Sequence, residues 1–221
     1  IGAGVRIGPD AVIHPQVHIG DGVRIGARFI AQPGAMIGGD GFSFVSPSRD
    51  AVEEARETGQ ITKASRTTGF ARINSLGAVW IGDDVEVGAN SAIDRGTISD
   101  TRIGDGTKID DHVDIGHNVQ IGKHCLLCGQ SGIAGSTVIG DRVVLAGKAG
   151  LADHITVGSD VVITASSGVA SNVPSGRIMM GTPAFPMEQA VESYKALRRL
   201  PRVLRNLDAT QKRVPKGGSN E

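Results

Sequence analysis

Aromatic residues are scarce in this chain of 221 residues, which contains five Phe, one Trp and one Tyr. Aromatic side chains supply much of the bulk of an ordinary globular core, so their scarcity argues against such a core. Glycine is abundant, with 32 residues, which is about twice its usual share. Together these features indicate a narrow, regular interior built from Ile, Val, Leu and Ala.

The chain also lacks an excess of charge, because 23 Lys and Arg residues balance 23 Asp and Glu residues. This balance argues against a protein that binds nucleic acid through its overall charge. No run of about 18 apolar residues is present, so the sequence predicts no transmembrane segment. The chain starts at Ile1 without a signal-peptide pattern, so we expect Ile1 to be an interior residue of a longer gene product.

Cysteine is equally rare, with only Cys125 and Cys128, spaced as Cys-x-x-Cys. Such a pair can form a redox centre or half of a zinc site. Neither a second pair nor a thioredoxin-like βαβ pattern accompanies it. We therefore expect two free thiols in a cytoplasmic protein.

An aliphatic residue recurs at every sixth position through most of the chain. From residue 103 the series reads Ile103, Ile109, Ile115, Ile121, Leu127, Ile133, Ile139, Leu145, Leu151, Val157, Ile163 and Val169. The residue after each is small or short, and the fifth position of each hexad is modest in size. The same hexads run from 1 to 36 and from 81 to 98. A four-residue slip interrupts them at 99–102, and a polar segment breaks them at 39–73.

Hexads of this kind predict an all-β fold, a parallel β-helix in which each repeat contributes a short strand and a turn. The aliphatic side chain points inward, and the small residue after it permits a tight corner. Three hexads complete one coil, so residues about 18 apart are stacked at a strand spacing of about 4.8 Å. We expect this prism to span 1–180, interrupted by a loop insertion at about 39–73 that we interpret as functional.

The repeat ends after Pro174, and apolar residues at helical spacing predict C-terminal helices within 181–213. Pro201 lies inside this pattern, so we expect two helices or a sharp kink there. Between 187 and 216 there are eight basic and three acidic residues. Lys195, Arg198, Arg199 and Arg202 can share one helix face, which favours an acidic partner. Residues 214–221 are predicted to be disordered.

Among the six histidines, His117 has the most informative position. It is third in its hexad, where side chains tend to point away from the core, and Gly135 follows one coil later. A glycine there lets a ligand approach the backbone, and its N–H could face a developing oxyanion. His154 follows two coils and one residue after His117, so we expect all three along one edge of the prism. A histidine beside a backbone donor suits acyl transfer from a thioester.

Several motifs carry a closer resemblance. They are Gly-Asp-Gly-Phe at 39–42, Ile-Asp-Arg-Gly at 93–96, Ile-Gly-His-Asn-Val at 115–119, Gly-Ile-Ala-Gly-Ser at 132–136 and Ser-Gly-Val at 167–169. The hexads alone resemble the hexapeptide-repeat acyltransferase superfamily, which implies a left-handed β-helix that assembles as a trimer with sites between subunits. The combined motifs resemble the UDP-3-O-acylglucosamine N-acyltransferase family over nearly the whole chain.

This resemblance implies transfer of a (3R)-3-hydroxyacyl group from acyl carrier protein to the 2-amine of UDP-3-O-(3-hydroxyacyl)glucosamine, in lipid A biosynthesis. It implies that His117 is the catalytic base, Asp110 its acidic partner and Gly135 the oxyanion donor. Asp110 precedes His117 by seven residues and so falls on a different face of the coil. A contact between them is therefore more natural across a subunit boundary.

The resemblance assigns the remaining site residues as well. The implied substrate-binding residues are Asp40, Gly41, Phe42 and His154. The implied carrier-protein-binding residues are Lys195, Arg198, Arg199, Arg202 and Arg205. It implies a cytoplasmic homotrimer without a metal or a cofactor, because the donor acyl group is carried on the phosphopantetheine of acyl carrier protein. The family's N-terminal uridine-binding domain is absent from this sequence, and 43–72 is longer than the family leads us to expect.

Two alternatives remain open from the residues. The first is an O-acyltransferase that acts on UDP-N-acetylglucosamine in the same pathway, although the Asp-Gly-Phe loop and the C-terminal tail argue against it. The second is a non-catalytic scaffold or a trimeric zinc protein that resembles γ-class carbonic anhydrases, which the spacing of His112 and His117 suggests. That zinc site needs a third histidine near position 76, where this chain has Leu76.

Overall fold

The structure is a computed structural model that describes residues 1–46, 51–61, 69–181 and 186–211. The chain divides into two units, Ile1–Thr182 and Pro183–Glu221. The first unit is a parallel β-helix whose short strands form three sheets, as the hexads predict. The second unit contains one helix in its described part.

Each face of the prism is one sheet. The first sheet contains β1 (Arg6–Ile7), β4 (Arg24–Ile25), β9 (Val79–Ile81), β12 (Thr101–Ile103), β15 (Gln120–Ile121), β18 (Val138–Ile139) and β21 (Thr156–Val157). The second contains β2 (Val12–Ile13), β5 (Ile30–Ala31), β10 (Glu86–Val87), β13 (Lys108–Ile109), β16 (Leu126–Leu127), β19 (Val144–Leu145), β22 (Val162–Ile163) and β24 (Ile178–Met179). The third contains β3 (His18–Ile19), β6 (Met36–Gly39), β11 (Ala92–Asp94), β14 (Asp114–Ile115), β17 (Gly132–Ile133), β20 (Gly150–Leu151) and β23 (Gly168–Val169).

The pairing register follows the repeat. Ile121 pairs with Ile139, one coil of 18 residues later. Ile81 pairs with Ile103, 22 residues later, so the four-residue slip is confirmed, and residues 97–99 form a bend that takes up the extra length. Ile25 pairs with Ile81, so the coil closes across the whole insertion and the prism continues beyond it.

The core is a narrow column of aliphatic side chains. The first-position residues, such as Ile103 and Ile115, are fully buried, and so are fifth-position residues such as Val119. The small second position has a steric cause. A Cβ added to Gly104 would lie 2.6 Å from the backbone of Gly122 in the next coil, so a side chain there would separate the stacked coils.

The corners of the prism use left-handed backbone at the fourth position of the hexads. Asn118 has a φ of 62° and His154 a φ of 58°. This conformation is uncommon for residues other than glycine, and Asn adopts it more readily than most. The turn thus sets the direction of the corner side chains, including His154, which lines the cleft described below.

The insertion between β6 and β9 has structure of its own. It contains α1 (Ala51–Thr58) and an antiparallel pair formed by β7 (Phe44–Val45) and β8 (Ala71–Arg72). The Phe44 ring packs edge-on against Phe42, with ring centroids 5.1 Å apart, and against Phe70 at 6.4 Å. The Arg72 guanidinium lies 4.6 Å from the centroid of the Phe44 ring. The strand β7, which carries Phe44, thus begins two residues after Phe42.

The second unit contains α2 (Met187–Gln211), with Pro201 inside it. One helix continues through Pro201, so the prediction of two helices is wrong, and a sharp kink at Pro201 stays a prediction. Pro201 leaves the Leu197 carbonyl without its usual N–H donor, but this stretch of α2 is exposed, so water can hydrogen-bond to the carbonyl instead. Residues 214–221 lie outside the described part of the chain. No helix in the described ranges is both long and apolar enough to cross a membrane.

Candidate active site

A cleft of about 470 Å³ runs along the third sheet and the adjacent corner of the prism. It brings together the predicted residues His117, Gly135, His154 and Phe42. The residues that line it are Phe42, Asp94, Asp114, Gly116, His117, Gly132, Ile133, Ala134, Gly135, Leu151, Asp153 and His154. Two imidazoles, three carboxylates and several small residues therefore share one open space.

Asn118 holds the His117 ring in one tautomer. The Nδ1 atom of His117 lies 3.0 Å from Oδ1 of Asn118. That oxygen also accepts the Thr97 N–H at 3.0 Å, while Nδ2 of Asn118 donates to the Ser99 carbonyl at 3.0 Å. If the amide were rotated by 180°, its NH₂ group would face the Thr97 N–H and its oxygen would face the Ser99 carbonyl. The orientation of Asn118 is therefore fixed. The Nδ1 atom of His117 must then carry the proton, and Nε2 keeps the lone pair.

Two glycines pack directly against this imidazole. A Cβ added to Gly135 would lie 2.7 Å from both Cε1 and Nε2 of His117. A Cβ added to Gly41 would lie 2.7 Å from Cβ of His117 and 3.0 Å from Cδ2. Both positions therefore exclude a side chain, and the Nε2 edge of the base faces backbone at Gly135. The oxyanion role of Gly135 stays a prediction.

Two hydrogen bonds hold the Asp40–Phe42 segment beside the cleft. The Gly41 N–H donates to Oγ of Ser75 at 3.3 Å, and Nη1 of Arg72 donates to the Gly41 carbonyl at 3.2 Å. Gly41 is buried, whereas Phe42 is 84% exposed and lies at the rim of the cleft. Asp40 is exposed beside them. Substrate binding by this segment and by His154 stays a prediction.

His154 is exposed at its corner, and its N–H donates to the Gly135 carbonyl at 3.1 Å. His154 therefore lies one coil after Gly135, directly next to it in the stack.

Asp94 is a cleft carboxylate that the sequence did not single out. It ends β11, where the register with β6 shifts and Asp94 pairs with Gly39. Burial raises the pKa of Asp94 to about 6, and the nearby charges of Asp114 and Asp40 act in the same direction. His117 and the backbone of Phe42 act in the opposite direction and lower it. Asp94 therefore shares the cleft with His117 and Phe42 and has its pKa set by both burial and its neighbours.

Asp110 lies in a different groove of about 530 Å³, on the second sheet. Its Oδ2 accepts the Gly129 N–H at 2.8 Å, and its Oδ1 accepts the Asp111 N–H at 2.8 Å. Within one chain the carboxylate therefore caps a corner, and it does not share a cleft with His117. Its role as the acidic partner of His117 stays a prediction.

The other predicted sites are placed as follows. Lys195, Arg198, Arg199, Arg202 and Arg205 are all exposed on α2. Cys125 and Cys128 are free thiols, one buried and one half-buried. His112 is an exposed corner residue with a φ of 58° and does not line the cleft of His117. Within the described ranges, no cluster of three or more His, Cys, Asp or Glu residues could hold a metal ion.

Sequence reasoning missed Asn118 and Asp94, although both lie inside motifs that carry the resemblance. Asn118 directly follows the base at a corner position that favours Asn, and this was the available signal. For Asp94 the sequence offered only its place in Ile-Asp-Arg-Gly, because its contacts depend on how the insertion folds back.

The repeats and the fold agree with those of known proteins. A family model described as bacterial transferase hexapeptide (six repeats) matches residues 1–28 and 100–135. UDP-N-acetylglucosamine O-acyltransferase from Moraxella catarrhalis superposes with a TM-score of 0.67 at 20% identity, covering 98% of this chain and 83% of that chain. UDP-N-acetylglucosamine acyltransferase from Francisella novicida gives 0.62 at 22% identity, covering 87% and 71%. The fold is thus the left-handed parallel β-helix of hexapeptide-repeat proteins, as predicted.

Sequence similarity is more specific. The UDP-3-O-acylglucosamine N-acyltransferase of Ruegeria pomeroyi is 63% identical over 194 residues, which cover 88% of this chain and 53% of that protein. The enzyme of the same name from Paracoccus denitrificans is 54% identical over 111 residues, or 50% of this chain and 30% of that protein. The resemblance to this family is confirmed. The chain spans about half the length of the Ruegeria pomeroyi relative.

Proposed function

We propose that this chain is the acyl-transfer part of an N-acyltransferase that moves a (3R)-3-hydroxyacyl group from acyl carrier protein to the 2-amine of UDP-3-O-(3-hydroxyacyl)glucosamine. The observation that carries the proposal is the His117 imidazole, held by Asn118 with its Nε2 lone pair toward an open cleft. The similarity to enzymes named for this acceptor supports the choice of substrate.

In the proposed reaction the acceptor nitrogen attacks the thioester carbonyl while Nε2 of His117 accepts the proton of the amine. A C–N bond forms, and the carbonyl oxygen becomes an oxyanion that the Gly135 N–H stabilises. The oxyanion then collapses, the C–S bond breaks, and the carrier thiolate receives the proton from His117. The products are an amide and a free carrier thiol, and the base returns to its starting state.

A homotrimer completes this site in our proposal. Within one chain Asp110 and His117 lie in separate grooves, so their pairing requires a second subunit. The second sheet, which carries Asp110, presents apolar side chains outward, including Val12 at 48% exposure and Leu126 at 48%. Burial of these side chains against a neighbouring subunit would stabilise the assembly.

The donor in this proposal is acyl carrier protein, an acidic partner that fits the basic residues exposed on α2. The phosphopantetheine of the carrier holds the acyl group, and the enzyme needs no cofactor of its own. Two free cysteines are consistent with a reducing compartment, so we place the reaction in the cytoplasm. Phe42 and His154 would contact the acylated sugar, because both line the cleft next to the base.

The acceptor decides between this proposal and O-acyl transfer. The full-length protein is supplied with 3-hydroxyacyl carrier protein and either UDP-3-O-(3-hydroxyacyl)glucosamine or UDP-N-acetylglucosamine. We expect a new amide on the first acceptor and at least about a hundredfold lower kcat/KM for the second, because the similar enzymes of Ruegeria pomeroyi and Paracoccus denitrificans are named for the first acceptor. A faster reaction on the hydroxyl acceptor would contradict the proposal and support the alternative enzyme.

A further inference from the structure

The coil before His117 contains four extra residues at the corner where the base lies. Ile93 and Ile103 are ten residues apart instead of six, and residues 97–99 form a bend between them. The strand β11 pairs with β14, and β12 pairs with β15, so the bend lies against the corner that carries His117 and Asn118. The interruption of the repeat therefore adjoins the base.

The amide of Asn118 is held between the two ends of this bend. Its Oδ1 accepts the Thr97 N–H at 3.0 Å and also accepts the Thr97 hydroxyl. Its Nδ2 donates to the Ser99 carbonyl at 3.0 Å and to Oγ of Ser99 at 3.1 Å. Because Oδ1 of Asn118 also lies 3.0 Å from Nδ1 of His117, the bend reaches the base through this amide.

The bend replaces a backbone contact that the next corner along this edge makes. Ser136 occupies the corresponding position one coil later, and its N–H donates to the His117 carbonyl at 2.9 Å. The Asn118 N–H donates instead to Oγ1 of Thr101 at 2.9 Å. The extra residues therefore exchange a backbone hydrogen bond at this corner for contacts with hydroxyl-bearing side chains.

Burial does not account for the bend. Ile98 at its apex is 87% exposed, so its apolar side chain contributes little to the core. The polar groups of Thr97 and Ser99 turn toward Asn118 instead. The bend is nevertheless packed closely, because a Cβ added to Gly77 would lie 2.7 Å from the Ser99 carbonyl oxygen. A segment that is tightly held while its apolar side chain faces solvent is consistent with a functional role.

We infer that Thr97 and Ser99 are positioning residues, which hold the Asn118 amide in one orientation and thereby keep the proton of the His117 imidazole on Nδ1. Neither residue lines the cleft, so they act through Asn118 and not on the substrate. The inference rests on the proposed function for its kinetic consequence, whereas the hold on the tautomer does not.

Paired substitutions of the two hydroxyls test this hold. Thr97→Val with Ser99→Ala removes both hydroxyls and places a methyl group where the Thr97 hydroxyl donates to Asn118. Thr97→Ser with Ser99→Thr keeps both hydroxyls and is the conservative counterpart. Ile98→Ala is the matched control, because it changes the exposed apex of the bend and leaves the contacts of Asn118 intact.

The ¹⁵N resonances of His117 report the tautomer without any assay of activity, because the protonated ring nitrogen and the one with the lone pair differ in chemical shift. At alkaline pH, where a histidine ring is neutral, we expect protonated Nδ1 in the full-length parent protein, in the conservative variant and in Ile98→Ala. In Thr97→Val with Ser99→Ala we expect a mixture of both tautomers. An Nδ1-protonated ring alone in that variant would overturn the inference.

Kinetics then test the consequence. In Thr97→Val with Ser99→Ala we expect kcat to fall about tenfold with the KM of the acceptor nearly constant, and the conservative variant should restore kcat. Adding the same two substitutions to Asn118→Ala should lower kcat no further, because the path through Asn118 is already broken.

Two kinetic results would overturn the inference. They are a parent-like kcat in Thr97→Val with Ser99→Ala, and a further tenfold fall when these substitutions are added to Asn118→Ala. Failure of the parent protein to acylate the amine would instead refute the proposed function, and the ¹⁵N resonances would still decide the hold on the tautomer.

Discussion

Asn118 is the residue whose geometry says most about the chemistry. Its amide accepts from Thr97 and His117 and donates to Ser99, so each of its contacts specifies the same orientation. An imidazole held in this way is already in the tautomer that can accept a proton at Nε2. The imidazole of His117 is thus held in one tautomer by the protein itself.

This role makes a prediction for Asn118→Ala. Without the acceptor for Nδ1–H, the His117 ring can rotate and populate the other tautomer, so we expect kcat to fall about 10–100-fold. The KM of the acceptor should change less, because Asn118 contacts the base and not the substrate. Steady-state kinetics with both substrates varied would measure this, with His14→Ala, an exposed histidine in the first coils, as the control. A parent-like kcat in Asn118→Ala would contradict the tautomer argument.

Asp94 gives a prediction about pH and stability. Its pKa is raised from 3.8 to about 6 in the folded protein, so the protonated form favours folding and the benefit is lost as the pH rises through about 6. Asp94→Asn carries no charge and does not lose this stabilisation. Its free energy of unfolding relative to the parent protein should therefore increase by about 1 kcal/mol between pH 5 and pH 8. Urea unfolding at the two pH values measures the difference, and a difference that shrinks with rising pH would contradict the account.

Residue spacing predicted His117, Gly135 and His154 as neighbours because each coil has a fixed length of 18 residues outside the slip. The same spacing could not identify Asp94, because Phe42, which shares its cleft, belongs to an insertion that the repeat does not constrain. It also could not predict the hydrogen bonds of Asp110, because a corner carboxylate and a catalytic one look the same in sequence. Regular stacking is therefore predictable here, and contacts made by side chains from the insertion are not.

At the scale of elements, the hexads predict the strands of the prism almost completely. The C-terminal pattern predicts its helix less well. From β3 to β23, outside the insertion, each strand of the prism buries its inward residue, so a strand could be assigned from one aliphatic residue and the small residue after it. Pro201 was expected to divide the C-terminal segment into two helices or to kink it sharply. The helix α2 is not divided there, because exposed carbonyls can hydrogen-bond to water. The penalty for proline depends on burial, which the sequence pattern did not reveal.

The basic residues of α2 give a prediction for carrier binding. We expect the triple substitution of Arg198, Arg199 and Arg202 to Glu to raise the KM for acyl carrier protein about tenfold or more and to weaken its dependence on salt. The matched control reverses Arg6 and Arg24, which are exposed on the first sheet of the prism. Initial rates over a range of ionic strength would measure both variants. An unchanged KM at every salt concentration would reject α2 as the docking element.

At the scale of the whole molecule, the prism carries the cleft of His117 along one edge. The column of buried aliphatic residues is continuous from the first coils to the last, and the insertion adds the Asp40–Phe42 segment without interrupting it. The fold alone is shared with enzymes that acylate a different acceptor, so it does not choose the substrate. The proposed chemistry depends on His117 and on the groups that hold it.

The most direct test of this account is therefore the kcat of His117→Ala, measured in the full-length protein with acyl carrier protein as donor and UDP-3-O-(3-hydroxyacyl)glucosamine as acceptor. We expect a loss of about 10²–10⁴-fold, because the general base is removed. Light scattering should give an unchanged trimer mass, since this partly exposed side chain contributes little to the core. A kcat close to that of the parent protein would contradict the assignment of His117 as the base.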